Sequence, residues 1–225
     1  MLALRFPLQA MAATLLAVSC QSPVTAPAEL LVGDGILSVS TCPPDVEPCA
    51  APVWGSPGFL TLGSELIFQR GSDQAHFKVS PHSEGGWQMT DVATGVSLIF
   101  DANLADLGKD LPNNSGPMLR LMPGDPVLHF PLWENKTWSA NFYSHGMRRD
   151  PIGLRAEYHC DAREWVETPA GKYNCYRIWR KVMLAEGDSE HRLSLYWYAP
   201  EVGFIIKRLD DSKLLELHQI LGSSD

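Results

Sequence analysis

The sequence predicts a mainly β protein, folded as an antiparallel sandwich or an open barrel. Short segments rich in β-branched and aromatic residues recur from Gly58 onward, and clusters of turn residues separate them. Such segments at regular spacing are typical of antiparallel all-β folds. Several of them alternate apolar and polar residues with a period of two, which indicates a sheet with one covered and one wetter face. Helical periodicity is scarce over the same residues.

The individual strands follow from these runs. The predicted strands are 59–68, 75–79, 87–90, 96–100, 127–132, 137–143, 154–160, 173–183, 192–198, 204–209 and 214–221. Trp138 and Phe142 occupy one parity of their strand, and Leu193, Leu195 and Trp197 occupy one parity of theirs. Because alternate residues of a strand share a face, each of these two sets lies on one face of the sheet.

Turn signals and two ambiguous segments complete the assignment. The segment 102–111 is compatible with one short helix, and 212–221 with either a helix or a strand. The domain is therefore expected to contain few, short helices. Clusters of Gly, Pro, Asp and similar residues predict turns at 84–86, 94–95, 123–125, 169–171 and 210–211.

The N-terminal residues have the composition of a bacterial signal peptide. Arg5 is the only charged residue before Glu29, and an apolar run extends from Ala10 to Val18. This run has about the length of a signal-peptide core and is shorter than the roughly 20 apolar residues that span a bilayer. The sequence therefore predicts a signal peptide over 1–19.

The end of this segment carries a resemblance to a processing motif. Residues 16–20, Leu-Ala-Val-Ser-Cys, resemble the bacterial lipobox. The resemblance implies that Cys20 is acylated and becomes the first residue of the mature chain. The alternative is an ordinary signal peptide that is cut nearby and leaves Cys20 as a thiol. Gln21 follows the cysteine, and similarity to the sorting rule of Gram-negative lipoproteins implies an outer-membrane lipoprotein of the cell envelope.

The chain divides into three predicted parts. The signal peptide covers 1–19, the lipidated cysteine with a tether and a Cys-rich loop covers 20–57, and an antiparallel β domain covers 58–225. Residues 21–29 lack a hydrophobic period and are typical of a flexible tether. The segment 42–49 holds three prolines between two cysteines, which favours a rigid, turn-rich loop.

The net charge limits the partners of the mature domain. The formal charge is −8 at pH 7, whereas nucleic-acid binding requires a basic surface. The same charge disfavours an electrostatic grip on anionic lipid headgroups. We therefore expect attachment to the membrane through the N-terminal lipid anchor and no nucleic-acid partner.

Four cysteines besides Cys20 form an even set in a chain predicted to be exported. They favour disulfides, and of the three possible pairings proximity favours Cys42 with Cys49 and Cys160 with Cys175. The second bond requires the chain over 161–166 to bulge out of its predicted hairpin. Two cysteines separated by two residues, as in a zinc knuckle, do not occur, so no metal site is predicted.

Three stretches of the second half together resemble a group of bacterial envelope domains of unknown function. The stretch 130–138 contains Pro-Leu-x-x-x-Lys-x-Trp, 164–178 contains Pro-Ala-Gly, and 196–208 contains Trp-Tyr-Ala-Pro-x-Val-Gly. The resemblance covers about 127–209. It implies a curved antiparallel sheet or open half-barrel, and it supplies no catalytic residue.

The sequence contains no recognisable catalytic pattern. A Gly-x-Ser-x-Gly elbow, a glycine-rich phosphate loop and a helical His-x-x-x-His pair are all missing. His159 next to Cys160 is compatible with a metal site or a Cys-His dyad, but a strand residue beside a disulfide is the favoured interpretation. We therefore expect no catalytic residue and no cofactor. The alternative is an envelope hydrolase whose site assembles from scattered histidines and acidic residues.

The aromatic residues of the second half suggest a binding surface. They are compatible with a groove for a glycan, a lipid or a peptide, although packing within a sheet is the favoured interpretation. In a half-barrel the concave face encloses a ligand. Trp138, Phe142, Leu193, Leu195 and Trp197 are predicted to line that face and to contact a lipid or hydrophobic peptide, or else to fill a closed core. The overall prediction is a non-catalytic binding or scaffold module.

Overall fold

The structure, a computed structural model, describes residues 30–52, 63–83, 85–147, 149–186 and 191–222. The described residues from 31 onward form one compact unit. The predicted signal peptide and Cys20 lie outside the described residues. Among the described residues, no helix has the length and apolar character needed to cross a membrane.

The described part of the unit contains thirteen strands and one short 3-10 helix, Pro112–Asn114. The strands are β1 (Gly35–Val39), β2 (Glu65–Arg70), β3 (Asp73–Pro81), β4 (Trp87–Asp91), β5 (Ser97–Phe100), β6 (Asp106–Asp110), β7 (Pro117–Asp125), β8 (Lys136–Gly146), β9 (Ile152–Thr168), β10 (Gly171–Leu184), β11 (Arg192–Ala199), β12 (Phe204–Asp210) and β13 (Lys213–Leu221).

Twelve strands form a closed antiparallel barrel. Strands β2 to β13 each pair with the next strand along the chain, and β13 pairs with β2, for example at Leu217 and Phe68. Strand β1 adds to β8 beyond the segment that pairs with β7. The prediction of a mainly β antiparallel domain is confirmed, whereas the open half-barrel is wrong. Closure pairs the first and last barrel strands, so neither is left with an unpaired edge.

Two predicted segments differ from the structure, and one open assignment is decided. The expected helix over 102–111 contains strand β6, whereas 212–221, predicted as a helix or a strand, contains strand β13. The expected strand over 127–132 is an irregular segment between β7 and β8. Its apolar residues Leu128 and Leu132 are buried in the hydrophobic core, which explains an apolar run without a strand.

The meander places alternate strand connections at opposite ends of the barrel. Strands β8, β10 and β12 end, and β9, β11 and β13 begin, at one end, which we call the mouth. The opposite end, the base, holds the segment 126–135. Trp138 Nε1 donates to Pro126 O at 2.8 Å, and the Phe130 ring contacts Tyr198 with centroids 5.4 Å apart. The segment 126–135 therefore packs against the inner side chains of the barrel and closes the base.

Lys136 fixes this segment in place. Its ammonium is fully buried and donates to His129 O at 2.5 Å and to Pro131 O at 2.6 Å. The Trp133 ring lies 4.5 Å from the same Nζ. Burial lowers the pKa of Lys136 to about 8. Lys136 of the Pro-Leu-x-x-x-Lys-x-Trp motif therefore has a structural role, because it satisfies two loop carbonyls inside the core.

The cysteines differ from the predicted disulfides, since all four that the structure describes are free thiols. In the β9–β10 hairpin Cys160 pairs with Ile178, and Cys175 pairs with Glu164. A bulge does occur next to Cys160, but it shifts the register by one residue only. Cys175 is still three residues from the partner of Cys160, roughly 10 Å along the strand, which exceeds the span of a disulfide.

The hairpin turn itself behaves as its residues indicate. Thr168 and Gly171 pair across the two residues Pro169 and Ala170. Gly171 has φ +146°, a conformation that L side chains rarely adopt. The Pro-Ala-Gly motif therefore defines the turn and sets the register of the longest hairpin of the barrel.

Candidate functional site

The residues predicted to line one concave face lie on two different faces. Trp138 and Phe142 point into the barrel and are buried. On β11, Leu193 is 45% exposed, while its neighbours Ser194 and Tyr196 are buried. The set Leu193, Leu195 and Trp197 therefore faces away from Ser194 and Tyr196, with Leu193 exposed, Leu195 half-buried and Trp197 buried, and its predicted place on the concave face is wrong. The inner positions of β11 hold polar groups instead.

Trp138 and Phe142 fill the core rather than line a cavity. Trp138 stacks on Tyr158, with ring centroids 5.2 Å apart and planes inclined by 9°. Phe142 pairs with Leu154 across β8 and β9 and is only 1% exposed. Trp138 and Phe142 therefore pack beside the inner residues Tyr158 and Leu154 of β9.

A cavity of about 610 Å³ opens at the mouth of the barrel. Its lining comes from the last residues of β8, β10 and β12 and the first residues of β9, β11 and β13. Nearly all of these side chains occupy paired inner positions, as Arg180 opposite Ser194 and Ser194 opposite Asp210 show. The lining residues are Ser144, Ile152, Leu154, Arg180, Val182, Met183, Leu184, Arg192, Ser194, Arg208, Asp210, Asp211 and Lys213.

The floor of this mouth cavity is an ion pair between distant strands. Arg180 Nη2 donates to Asp125 Oδ2, and Asp125 Oδ1 accepts the Tyr158 hydroxyl at 2.6 Å. Burial opposes the charge of Arg180, but the carboxylate of Asp125 and the nearby tyrosines raise its pKa above the ordinary value. Burial, followed by the charge of Asp125, raises the pKa of Tyr158 well above 10. The guanidinium is therefore charged and the phenol neutral.

A second arginine and a second carboxylate flank this pair. Arg208 Nε contacts Asp210 Oδ2, and its guanidinium lies 5.1 Å from the Tyr196 ring centroid. Asp106 pairs with Asp125 in the β6–β7 ladder and so shares its inner face. Burial, followed by the charge of Asp125, raises the pKa of Asp106 to about 6. The cavity thus rests on a network of opposite charges.

The outer surface carries a second concavity of about 560 Å³, which we call the outer groove. Leu193 and Trp179 line it, together with polar side chains of β1, β8, β9 and β10. Trp179 Nε1 donates to Asp161 Oδ2 at 2.6 Å, and Arg177 donates to the same carboxylate. Trp197 Nε1 similarly donates to Glu164 Oε1 at 2.8 Å. These contacts fix both indoles on the outward-facing side of their strands, where Trp179 is exposed and Trp197 is buried.

The histidines are spread over the barrel. His76 Nε2 lies 2.6 Å from Glu65 Oε2, and His82 Nε2 lies 3.4 Å from Asp110 Oδ2. His159 lines the outer groove beside Trp179. Among the described residues, no group of three or more His, Cys, Asp and Glu side chains could hold a metal ion.

Sequence reasoning did not identify Asp125, Arg180 and Arg208. The sequence places Asp125 only in a predicted turn, whereas it ends β7 with its side chain buried. A usable signal exists for Arg180, because it occupies the parity of Tyr176, Ile178 and Val182, which are core residues. A charged side chain at a position of apolar parity indicates an inner polar site.

No protein-family model matches the sequence, and no curated protein matches it. Solved structures give remote likenesses. The hypothetical lipoprotein YmcC from Escherichia coli K12 is 8% identical with a TM-score of 0.48, covering 72% of this chain and 88% of that chain. A protein from Parabacteroides distasonis named as a lipoprotein is 10% identical with a TM-score of 0.40, covering 78% and 100%.

A third structure is an exported protein with a YmcC-like fold from Bacteroides fragilis. It is 13% identical with a TM-score of 0.40, and the match covers 77% of this chain and 100% of that chain. At these TM-scores the likeness to all three proteins is coarse. Membership of the envelope-domain family that the motifs of 127–209 suggest stays a prediction.

Proposed function

We propose that the protein is a non-catalytic lipoprotein of the cell envelope that binds a ligand in the mouth cavity. The observation that carries the proposal is the cavity itself, at about 610 Å³. This volume lies within the roughly 300–1,000 Å³ of small-ligand sites. The cavity combines apolar walls with a few fixed polar groups, which is the usual composition of a binding site.

Attachment to the envelope rests on the N-terminal residues. In this proposal the signal peptide 1–19 is removed, Cys20 is acylated, and 20–57 connects the anchor to the β domain. Gln21 directs the lipoprotein to the outer membrane. Mass spectrometry of the mature N-terminus tests the anchor, with an acylated Cys20 as the expected result. An unmodified N-terminus at another residue would contradict it.

The non-catalytic assignment rests on the groups that the cavity offers. Its described lining contains the hydroxyls of Ser144 and Ser194 but neither a histidine nor a cysteine. Arg180 and Arg208 are held by Asp125 and Asp210. A hydroxyl nucleophile needs an adjacent general base within hydrogen-bond reach. These ion pairs are suited to binding, and the remaining lining carboxylate, Asp211, forms no hydrogen bond with either serine hydroxyl among the described residues.

Photolabelling of the mature lipoprotein in phosphatidylcholine nanodiscs tests ligand binding. The probe is decanol with a diazirine on its alkyl chain, and labelled peptides are mapped by mass spectrometry. We expect labels around Leu154 and Val182, which line the cavity. Val182→Trp fills the cavity and should lower this labelling at least fivefold. Lys181→Trp is the matched control, since Lys181 lines the outer groove.

Two results would contradict the proposal. Labelling that spreads over the surface and is unchanged by Val182→Trp would remove the cavity as a binding site. Turnover of an envelope ester or glycan, abolished by a single substitution in the barrel, would favour the hydrolase.

A further inference from the structure

We infer that the mouth cavity selects an amphiphile with an anionic headgroup, so that the acidic or phosphate group sits among cationic side chains and the alkyl chain lies on the apolar wall. The inference rests on the proposed function, because it names the ligand class of the same cavity. It depends on the distribution of charge, on the position of the apolar residues and on the absence of aromatic rings from the described lining.

The cavity is positively charged within an acidic protein. Its lining holds four basic residues against the carboxylates of Asp210 and Asp211, and Asp125 at the floor neutralises Arg180, so a formal charge of +1 remains. The whole chain carries −8. Like charges that converge on one concavity focus the electrostatic field there and attract ions of the opposite sign. The cavity therefore favours an anion although the protein as a whole repels it.

The basic residues fall into two classes. Arg180 is buried and paired with Asp125, whereas Arg208 is 44% exposed and paired with Asp210. Arg192 and Lys213 line the cavity near the strand ends, and neither has an ion-pair partner among the described residues. Charge-assisted hydrogen bonds to a carboxylate or phosphate are stronger than neutral ones. Arg192 and Lys213 are therefore the side chains available to hold an anionic headgroup.

Arg180 adds a donor at the floor. Its Nε is buried and has no hydrogen-bond partner among the described residues, although Nη2 contacts Asp125. A buried donor left without a partner carries a desolvation cost. An acceptor that enters the cavity, either a ligand oxygen or a water bridging to it, would remove that cost. The unpaired donor therefore favours a ligand with acceptor oxygens, and the charge of the lining favours an anion, so both features favour an anionic headgroup.

The apolar part of the lining forms one continuous wall. Leu154 and Val182 belong to the partly buried residues that pack on the core. Ile152 and Leu184 lie at the ends of neighbouring strands and are 43% and 45% exposed. Burying these two side chains under an alkyl chain removes apolar area from water, which favours binding. An inorganic anion would leave the wall exposed.

A glycan fits this cavity poorly. Among the described lining residues there is no Trp, Tyr, Phe or His ring. The exposed indole of Trp179 belongs to the outer groove instead. Sugar recognition commonly uses an aromatic face for stacking together with hydrogen bonds. The mouth cavity provides hydrogen-bonding groups but no aromatic face among its described lining residues. The lining thus favours an alkyl chain with a charged end.

The test compares headgroups on one alkyl chain. Diazirine-bearing decanoate, decyl phosphate, decyltrimethylammonium and decyl maltoside are each added to the mature lipoprotein in phosphatidylcholine nanodiscs. We expect the two anions to label the cavity about tenfold more than the cation. A difference between decanoate and decyl phosphate would separate a carboxylate source from a phosphate source. Because surface charge is screened over about 10 Å at 0.1 M salt, the preference should weaken as salt is added.

Charge reversal identifies the groups responsible. Arg192→Glu with Lys213→Glu should abolish or invert the preference for anions while alkyl labelling of the cavity persists. Lys78→Glu is the matched control, because Lys78 is exposed on β3 and does not line the cavity. Equal labelling by all four headgroups, or a preference that survives the double substitution, would overturn the inference alone. Labelling outside the cavity by every probe would overturn the proposed function instead. If an added peptide, but not decanoate, protects the cavity from labelling in a saturable manner, the site binds peptides and the inference is wrong.

Discussion

Arg180 and Asp125 form an ion pair across the interior of the barrel and join β10 to β7, although β8 and β9 lie between these strands in the sheet. Their side chains are 13% and 5% exposed. Asp125 also accepts the Tyr158 hydroxyl. This connection is independent of the backbone ladders, and it fixes the floor on which the mouth cavity rests.

Breaking this pair should destabilise the barrel strongly. Removing one partner leaves an uncompensated buried charge, which costs about 3–5 kcal/mol. We expect losses of this size in the free energy of unfolding for Asp125→Asn and for Arg180→Met, measured by urea denaturation. The double variant should lose less than the sum, since no lone charge remains.

An exposed pair provides the control for that experiment. Arg155 and Glu157 are separated by 3.9 Å, and both side chains are about half exposed. Surface pairs of this kind contribute about 0–1 kcal/mol. Losses from Asp125→Asn that do not exceed those from Arg155→Met would show that the interior pair is not structurally important.

The two sets of apolar residues found in the sequence should respond differently to truncation. Phe142 is buried in the core, and Phe142→Ala should cost about 3–5 kcal/mol through lost burial and an internal cavity. Leu193 is exposed on the outer surface, and Leu193→Ala should change stability by less than about 0.5 kcal/mol. Comparable losses for the two variants would contradict the assignment of these residues to opposite faces.

The same two strands show what the sequence can predict. Alternation correctly groups Phe142 with Trp138, and Leu193 with Leu195, because side chains alternate strictly along a strand. It does not reveal which group faces inward. On β8 the apolar group fills the core, while on β11 the inner positions hold Ser194 beside the cavity. At this inner position beside the cavity a polar residue replaces an apolar one and so reverses the expected pattern.

Closure of the barrel also lay beyond sequence patterns. Local runs and turns predict most strands from β2 to β13, and each of these strands pairs with its neighbour in the chain. The pairing of Leu217 with Phe68 joins residues far apart in sequence. Periodicity carries no information on such a contact. The ion pair of Arg180 with Asp125 is long-range for the same reason, which is why the cavity floor was missed.

The thiols provide a test of the cysteine chemistry. Burial raises the pKa of Cys160 and of Cys175 to about 12. Because the thiolate is the reactive form, iodoacetamide at pH 8 should leave both unmodified in the native protein. Cys42 should react first. After unfolding without a reductant, four thiols should be modified, namely Cys42, Cys49, Cys160 and Cys175. Fewer than four would indicate a disulfide in the exported protein.

Asp106 should make the stability of the barrel depend on pH in the acidic range. Burial, followed by the nearby charge of Asp125, raises the pKa of Asp106 from 3.8 to about 6. Between these values the folded protein binds a proton that the unfolded chain has released. Stability therefore falls as pH rises through this window, and the loss is complete above pH 6. The difference between the pKa of Asp106 in the unfolded chain and in the folded protein corresponds to about 2–3 kcal/mol in the free energy of unfolding.

Asp106→Asn should remove this dependence. The amide oxygen of the asparagine can still accept the Gly108 N–H, which donates to Asp106 Oδ1 at 2.8 Å. The variant should therefore gain stability over the wild type at pH 7.5 and lose that advantage at pH 4, as measured by urea unfolding at both values. Asp45→Asn, at an exposed loop position, should change stability by less than about 0.5 kcal/mol at either pH. An Asp106→Asn variant that is less stable than the wild type at pH 7.5 would contradict this prediction. It would show that attraction between the ionised carboxylate and Arg208 outweighs burial and repulsion from Asp125.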